Sequence, residues 1–263
     1  MLQLFREIFK PAVSYLGKAA YREYIAVKTA CRRKNAGEPI TLNIAGFTVS
    51  GPDARSFLHQ YEEIFVRRIF EVDFKKAAPV IFCCGANIGL EIFFFKKQYP
   101  ACKIKAFEAD PEISKVLSEN VSRNKLEHVE VIAAAAWDED GNVTFEADGA
   151  LGGKTGTGSA EVPAVRLAYQ LNLEAHIDLL IIDIEGAEIA VLKDCREQLS
   201  RVDRLFVEWH GAVNDKQNLG ELLELLTSCG FRYRLNNNLP EAPFVHRIIE
   251  GGFDAMVEIY AEK

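Results

Sequence analysis

The chain has 263 residues, of which 49% are apolar and 26% are charged, and its formal net charge is −7. This balance excludes an intrinsically disordered protein, and a chain of this length can bury roughly three quarters of its surface around a central sheet. The longest apolar runs are far shorter than the roughly 20 residues of a membrane-spanning helix, so no transmembrane segment is expected.

The first 34 residues form a basic segment with an amphipathic pattern. They hold eight Lys or Arg against two acidic residues, a local balance of +6, which leaves −13 for the remainder. Apolar side chains recur at helical spacing: Leu2, Phe5, Ile8, Phe9, Val13 and Leu16. The pattern fits peripheral contact of residues 1–34 with an anionic membrane, or a helical arm packed on its own domain or on a second subunit of a homodimer.

The acidic main body and the cysteine pattern limit which binding partners and which cellular compartment are expected. A body with a charge of −13 lacks the basic face that nucleic acid requires, so no nucleic-acid partner is expected. The amino terminus lacks the apolar run and small-residue cleavage site of a secretory signal. Six scattered cysteines without a C-x-x-C pair indicate reduced thiols. We therefore expect a cytoplasmic protein, with the inner membrane face as its alternative location.

The elements follow one another in a regular order. The alternating segment 40–49, with Ala45-Gly46 at its centre, predicts a hairpin, and a helix follows through Phe70. Apolar runs then alternate with helical patterns, at residues 80–84, 104–107, 129–133, 179–183 and 205–208. This alternation predicts a mainly parallel sheet with helices on both faces.

The end of the chain differs from this alternation. Segments 231–235 and 253–260 alternate in polarity and are joined by a Pro-containing loop, which predicts an antiparallel C-terminal pair. The predicted fold class is α/β, with an antiparallel C-terminal strand and an N-terminal helical extension. We place the N-terminal helices, hairpin and connecting helix in residues 1–75 and the sheet domain in residues 76–263.

Ligands of open α/β sheets bind at the carboxyl ends of the strands. The first strand is followed by Gly85-Ala86-Asn87-Ile88-Gly89, which lacks the G-x-G-x-x-G of a dinucleotide-binding loop. A tight strand-to-helix turn can also use glycine for its own geometry. The next strand ends at Glu108, whose carboxylate can accept both hydroxyls of a ribose, whereas Asp110 is better placed to cap the following helix. The loop and Glu108 together indicate an adenosine-containing ligand.

Two further segments carry weaker indications. The run Ala133 to Ala136 offers small side chains, and Ala135 could lie against a flat base or simply allow close helix packing. The Gly- and Thr-rich stretch from Asp148 to Ser159 predicts a long loop of the kind that covers substrates.

The last two parallel strands end in charged residues. Asp183 and Glu185 follow one buried strand, and Glu208 and His210 end the next. Charge at the mouth of a buried sheet requires a partner, such as a metal ion, a ligand cation or a proton. A histidine near neutral pH favours proton transfer, while the carboxylates could instead hold Mg²⁺ or Mn²⁺.

Together these residues resemble the FkbM-type methyltransferases, which are S-adenosylmethionine-dependent and mostly methylate hydroxyls of sugars and related natural products. The resemblance covers about Val80 to His210. The matching pieces are Gly85-Ala86-Asn87-Ile88-Gly89, Ala106-Phe107-Glu108, Asn120 and Asn124, Ile182-Asp183-Ile184-Glu185-Gly186-Ala187-Glu188, and Val207-Glu208-Trp209-His210. It implies a Rossmann-like class I methyltransferase sheet and an O-methyltransferase acting on a small-molecule, glycan or glycolipid-like acceptor.

The resemblance also implies roles for single residues. The loop would hold the methionine part of the cofactor and Glu108 the ribose, and the cofactor-binding set is Cys83, Gly85, Ala86, Asn87, Gly89, Glu108, Ala109 and Ala135. Cys83 stands where the family has an Asp that approaches the cofactor's amino end, and Ala109 stands where it has Pro. His210, Asp183 and Glu185 are the expected catalytic residues; Asp183, Glu185 and Glu208 are the candidate metal ligands.

Two other functions remain open at this point. The Cys83 difference leaves room for a methyltransferase fold used only for binding or as a scaffold. A nucleotide-dependent oxidoreductase shares the strand-loop-helix unit and the ribose carboxylate, although the third glycine is missing.

Overall fold

A computed structural model describes the chain at residues 17–146, 154–155, 160–212, 216–236 and 253–263. The apolar stripe of residues 2–16 and most of the Gly- and Thr-rich stretch lie outside the described residues. Among the helices that are described, none combines the length and the apolar character needed to cross a bilayer.

The amino-terminal part contains the predicted helix, hairpin and connecting helix. Its elements are α1 (Lys18–Arg32), β1 (Ile40–Ile44), β2 (Phe47–Gly51) and α2 (Ala54–Tyr61), which continues as a π-helix (Glu62–Arg67). The hairpin turn places Ala45 and Gly46 at positive φ, as a two-residue turn between twisted strands requires. The helix α1 buries Tyr24, Val27 and Cys31. Its described part is therefore a packed arm, while contact with a membrane or a second subunit stays a prediction.

The remaining elements alternate between strand and helix as the sequence predicts, except for the run of strands after residue 129 and the last two strands. The strands are β3 (Val80–Cys84), β4 (Lys103–Phe107), β5 (Val129–Ile132), β6 (Ala135–Trp137), β7 (Gly141–Glu146), β8 (Lys154–Thr155), β9 (Ala160–Arg166), β10 (Leu179–Ile182), β11 (Arg204–Ala212), β12 (Arg232–Asn236) and β13 (Phe253–Glu262). The helices among them are α3 (Leu90–Gln98), α4 (Pro111–Arg123), α5 (Leu167–Asn172), α6 (Glu188–Asp194) and α7 (Leu219–Ser228), with a 3₁₀ turn at Gln198–Arg201.

Within the described residues, seven strands form the central sheet in the order β12-β13-β11-β10-β3-β4-β5. The pairs from β11 to β5 are parallel, and β13 runs antiparallel to both β11 and β12. This confirms the predicted mainly parallel α/β sheet with an antiparallel C-terminal strand. The chain builds outward from β3 to β5 and then returns to the other side of β3 with β10, so a topological switch point lies between β3 and β10.

The strand β11 is longer than predicted. It pairs with β10 only as far as Ile182↔Val207, but with β13 it continues from Arg204↔Glu262 to Ala212↔Phe253. The expectation that Glu208 and His210 end their strand is therefore wrong. Both residues lie inside β11, just past its last pair with β10, because β13 carries the backbone pairing further.

The segment after β5 folds differently from the prediction. In the described residues, β6, β9, β7 and β8 form a separate four-stranded sheet. Ala135 is 4% exposed and packs in the small apolar cluster of this sheet, with Val143, Phe145, Val162 and Ala164. The side chain of Ala135 therefore packs within this sheet rather than against a helix, and contact with a cofactor base stays a prediction.

One hydrophobic cluster joins the amino-terminal part to the sheet domain. It extends from Tyr24 in α1 to Phe206 in β11. Two asparagine side chains join the parts across this junction. The amide of Asn120 in α4 bonds the backbone of Ser50, and the amide of Asn124, directly after α4, bonds the backbone of Thr48, at 2.8–2.9 Å. The two parts therefore share a core, while the division at residue 75 stays a prediction.

Candidate active site

The loop from Gly85 to Gly89 follows β3 at the topological switch point. Each of its five backbone N–H groups donates a hydrogen bond within the protein, at 2.7–3.0 Å. The acceptors, in order of their donors, are Phe107 O twice, Glu108 Oε2, Asn87 Oδ1 and Ala86 O. A phosphate-binding loop presents free N–H groups to its ligand, and this loop has none to offer.

The two glycines of the loop are required by close packing. Both have positive φ, +82° at Gly85 and +85° at Gly89. A Cβ at Gly85 would lie 1.7 Å from the carbonyl oxygen of Asp183, and one at Gly89 would lie 2.5 Å from Cδ1 of Leu117. The Gly85 backbone thus directly contacts the end of β10.

Glu108 is buried beside the loop. Its Oε2 accepts the N–H of Asn87 at 2.7 Å, and its Oε1 accepts the N–H of Asp110 at 2.9 Å. Burial raises the pKa of Glu108 to about 7, although these backbone hydrogen bonds act in the opposite direction. A carboxylate offers about four acceptor positions, so two remain for a ligand. As the sequence analysis expects, Asp110 caps α4, with hydrogen bonds from Glu112 and Ile113.

The other residues predicted to bind a cofactor lie around this loop. The Cys83 side chain is 1% exposed, and burial raises the pKa of its thiol well above the usual value. Ala109 is half-buried and packs against the apolar cluster of the smaller sheet. Asn87 has a positive φ of +46°. The side-chain amide of Gln60 in α2 donates a hydrogen bond to Oδ1 of Asn87 at 3.2 Å.

Asp183 stands at the end of β10. Its backbone N–H donates to Cys84 O at 3.0 Å, which ties it to β3. Its Oδ1 atom is buried and has no hydrogen-bond partner among the described residues. Burial raises the pKa of Asp183 well above the usual value, and the charges of Glu208 and Glu185 raise it further. Asp183 therefore has one buried carboxyl oxygen without a hydrogen-bond partner among the described residues, at the carboxyl end of β10 and beside β3.

His210 is held by a carboxylate that sequence reasoning did not assign to the site. Its Nδ1 lies 3.0 Å from Oε1 of Glu188, and that oxygen also accepts the N–H of Gly186 at 2.8 Å. The imidazole packs against Phe253, with ring centroids 4.8 Å apart. Glu188 belongs to the D-x-E-G-A-E motif but resembles an ordinary acidic residue in the first turn of a helix. Its contact with a strand residue 22 positions later was the missing signal.

The second nitrogen of His210 faces two more carboxylates. Nε2 lies 3.5 Å from Glu208 and 3.6 Å from Glu185. Burial alone would lower the pKa of His210, but the hydrogen bonds to Glu188 and Glu208 and the surrounding negative charge raise it well above the usual value. The sequence argument, which rested on a pKa near neutrality, did not include these neighbours.

The structure groups the candidate metal ligands differently from the prediction. One ligand atom each from Asp183, Glu185 and His210 can lie within 4.8 Å of one another, and Glu208 is not part of that group. The predicted ligand set of Asp183, Glu185 and Glu208 stays a prediction, and the group of Asp183, Glu185 and His210 is a second candidate set. Glu185 adopts φ +57°, followed by Gly186 at +106°, so a sharp turn carries its side chain.

The sequence analysis did not predict that charged residues of the π-helix would lie near the acidic cluster. The π-helix places Arg67 2.9 Å from Glu63 and 2.9 Å from Glu258 of β13. Burial raises the pKa of Glu63, while the charge of His59 lowers it and that of Glu208 raises it. Insertions of this type often occur at functional sites. Here the π-helix brings another carboxyl group towards Glu208.

Comparisons with known proteins relate the chain to methyltransferases. The family profile described as the methyltransferase FkbM domain matches residues 84–233. The chain is 30% identical over 181 residues to methyltransferase sdnD of Sordaria araneosa, covering 52% of this chain and 68% of that protein. It is 26% identical over 198 residues to methyltransferase 1 of Beauveria bassiana (strain ARSEF 2860), covering 64% and 78%.

Solved structures also align with the chain. An FkbM methyltransferase from Methylobacillus flagellatus KT aligns with a TM-score of 0.49 and 14% identity, over 93% of this chain and 60% of that one. The M. jannaschii TYW2 structure in complex with AdoMet aligns with a TM-score of 0.49 and 14% identity, over 88% of both chains.

Proposed function

Because this chain belongs to the FkbM methyltransferase family and its activity is therefore methyl transfer, we propose that it is an S-adenosylmethionine-dependent O-methyltransferase. Its acceptor is a hydroxyl group of a sugar, a glycan or a glycolipid-like molecule. The observation that carries the proposal is the cluster of His210, Asp183, Glu185 and Glu208 at the sheet edge that also holds the Gly85 loop.

S-adenosylmethionine is the donor that the family implies, and the residues present fit it. Glu108 keeps two acceptor positions for the ribose hydroxyls beside a loop whose glycines allow close approach. When bound, the cofactor supplies a methyl group on a positively charged sulfonium.

The protein's own part is to orient the acceptor and to take its proton. Methyl transfer is an in-line displacement, so a fixed position of the acceptor oxygen is the largest contribution. Glu188 fixes the imidazole of His210 through Nδ1 and leaves Nε2 directed towards Glu185 and Glu208. His210 then acts as the general base once it has lost its own proton, and Asp183 or Glu185 orients the hydroxyl.

The carboxylate groups that line the site support the proposal of a neutral acceptor with hydroxyl groups. Carboxylates at Glu185 and Glu208 accept hydrogen bonds from hydroxyl groups, as sugars provide. The same charges repel phosphate or carboxylate groups on an acceptor. A divalent cation held by Asp183, Glu185 and His210 is the alternative way to activate the hydroxyl, with Mg²⁺ or Mn²⁺ as the ions that such ligands suit.

The two rival functions have less support. The fully internal hydrogen bonding of the Gly85 loop argues against a nucleotide-dependent oxidoreductase, which needs free N–H groups for a pyrophosphate. A scaffold role has the Cys83 difference in its favour, but not the buried, unsatisfied acid at Asp183.

The test is methyl transfer from S-adenosylmethionine to neutral glycosides and to matched phosphorylated glycosides. We expect S-adenosylhomocysteine to form with the neutral acceptors only. In His210→Ala and Asp183→Ala, turnover should fall at least a hundredfold while cofactor affinity, measured by calorimetry, changes less than threefold. His176→Ala, an exposed histidine paired with Asp178 and Asp203, is the control. Near-normal turnover in both site variants would refute the catalytic assignment, whereas a parent protein without turnover on any acceptor would favour the scaffold.

A further inference from the structure

The carboxyl group of Glu91 has no role in the site described so far. Glu91 lies in the first turn of α3, two residues after Gly89, and is 6% exposed. Its own backbone N–H bonds the carboxyl, but its Oε1 atom has no hydrogen-bond partner among the described residues. A buried carboxyl oxygen without a partner is costly, so a donor from outside the chain is the expected complement.

The surroundings of Glu91 define what that donor must be. The charge of Glu91 is close enough to raise the pKa of the Cys83 thiol, and the charge of Glu108 raises the pKa of Glu91. Burial is the main cause that brings the pKa of Glu91 to about 8. Two carboxyl groups thus flank the loop without a neighbouring cation among the groups that act on them. A positively charged donor satisfies both better than a neutral one.

The loop itself cannot supply a donor. All five of its backbone N–H groups already bond within the protein, and the thiol of Cys83 is a weak donor. The position of Cys83 is the one where the resemblance places an acid near the cofactor's amino end. The charge of Glu91 acts on the Cys83 thiol, so its carboxyl group lies within electrostatic range of that position, on the helix rather than on the strand.

We propose that Glu91 accepts a hydrogen bond from the α-ammonium group of the cofactor's methionine part and so takes the place of a strand-end acid at Cys83. This assignment rests on the proposed function. It gives Glu108 and Glu91 separate tasks, since Glu108 binds the ribose and Glu91 binds the amino acid end. The α3 N-terminus, where N–H groups favour negative charge, keeps the carboxyl ionised when the ammonium is bound.

Two ligands separate these tasks. S-adenosylhomocysteine carries the ammonium group, whereas methylthioadenosine has the same nucleoside without the amino acid end. In Glu91→Gln we expect at least tenfold weaker binding of S-adenosylhomocysteine by calorimetry and less than twofold change for methylthioadenosine. Glu108→Gln is the matched control, because it should weaken both ligands. Cys83→Asp added to Glu91→Gln should recover at least threefold of the lost affinity.

Each other outcome is decisive. Equal weakening of both ligands by Glu91→Gln, or no weakening of either, overturns the assignment of Glu91 while leaving the proposed function in place. A parent protein that binds neither ligand refutes the proposed function, and the Glu91 assignment with it. If Glu91→Gln does not fold, the parent alone decides: binding in buffers of different ionisation enthalpy should release more protons with S-adenosylhomocysteine than with methylthioadenosine. Equal release from the two ligands overturns the assignment.

Discussion

Glu188→Gln is the sharpest test of how His210 holds its proton. Gln keeps the shape of Glu188, and its amide oxygen can still accept the N–H groups of Gly186 and His210. Only the negative charge is removed, at a position where both side chains are almost fully buried. A hydrogen bond to a charged group contributes about 1.5–3 kcal/mol, and one pKa unit corresponds to about 1.4 kcal/mol. The pKa of His210 should therefore fall by about 1–2 units.

The pH dependence of activity reports this change. The pKa of His210 is raised well above its ordinary value, so the rising limb of kcat/KM against pH should lie above the pH range in which an ordinary histidine loses its proton. In Glu188→Gln the same rising limb should move to lower pH by about 1–2 units, while the exposed Glu224→Gln control leaves it in place. The imidazole signal of His210 in an NMR titration, identified by its absence in His210→Ala, should shift by the same amount. An unchanged rising limb together with an unchanged titration would refute the reasoning.

The free energy of unfolding should also depend on the protonation of His210. A pKa raised by folding stabilises the protein fully below the unfolded value, and this contribution is lost as pH rises through the folded value. The parent should therefore lose stability from about pH 6.5 upward. Glu188→Gln should lose less over that range, because the folded and unfolded pKa values of His210 lie closer together. A pH series of thermal unfolding measures the difference, and identical slopes in the two proteins would contradict it.

The remaining predictions concern the cofactor, the junction, the metal and the amino terminus. Glu108→Ala should weaken S-adenosylmethionine binding at least severalfold in calorimetry, since the ribose loses its acceptor; equal affinity would contradict that placement. Asn120→Ala should lower the free energy of unfolding by about 2–4 kcal/mol, because bonds to Ser50 and Ile88 are lost; denaturant unfolding checks this, and a loss below about 1 kcal/mol would argue against a stabilising role of these bonds. Chelator should leave turnover unchanged if His210 acts as the base, whereas loss restored by Mg²⁺ or Mn²⁺ would favour the metal. Deletion of residues 1–16 should reduce sedimentation with anionic vesicles at low salt; no difference would leave the packed arm.

The strands of the central sheet could be predicted because apolar runs and glycines bound them sharply. The strand β3 has the predicted limits, Val80–Cys84, since Gly85 follows an uninterrupted apolar run. The strand β11 could not be bounded in this way, because Glu208 and His210 interrupt its apolar pattern. Their place inside the strand depends on pairing with β13, whose residues lie about 50 positions away in the chain.

The smaller sheet and the π-helix escaped prediction for different reasons. The strand β9 contains Pro163, which weakens any strand pattern, and pairs with β7 as well as β6. Short strands of this kind are stabilised by one another rather than by their own propensity. The π-helix ends at Arg67, which contacts Glu258, a residue 191 positions away in the chain. Neither feature has a local signal strong enough to predict it.

The clustering of Asp183, Glu185 and His210 was predictable from the sequence, but their protonation was not. The rule that ligands bind at carboxyl strand ends pointed to Asp183, Glu185 and His210 without knowledge of a single contact. Whether an imidazole is charged depends on the groups that the fold places around it, and here Glu188 decides that. Burial also turns Glu108 and Glu91 into groups that titrate near neutrality or above.

The backbone contact between Gly85 and Asp183 links the two halves of the site. The cofactor loop follows β3 and the acidic cluster follows β10, and the two meet where a side chain at Gly85 would overlap the carbonyl oxygen of Asp183. The N–H of Asp183 also bonds the carbonyl of Cys84, so both backbone groups of Asp183 lie against the same turn. A displacement of the loop therefore moves Asp183 with it. This contact explains why residue 85 is a glycine, with or without a bound ligand. It also holds the proposed positions of the methyl donor and the acceptor at a fixed distance from each other.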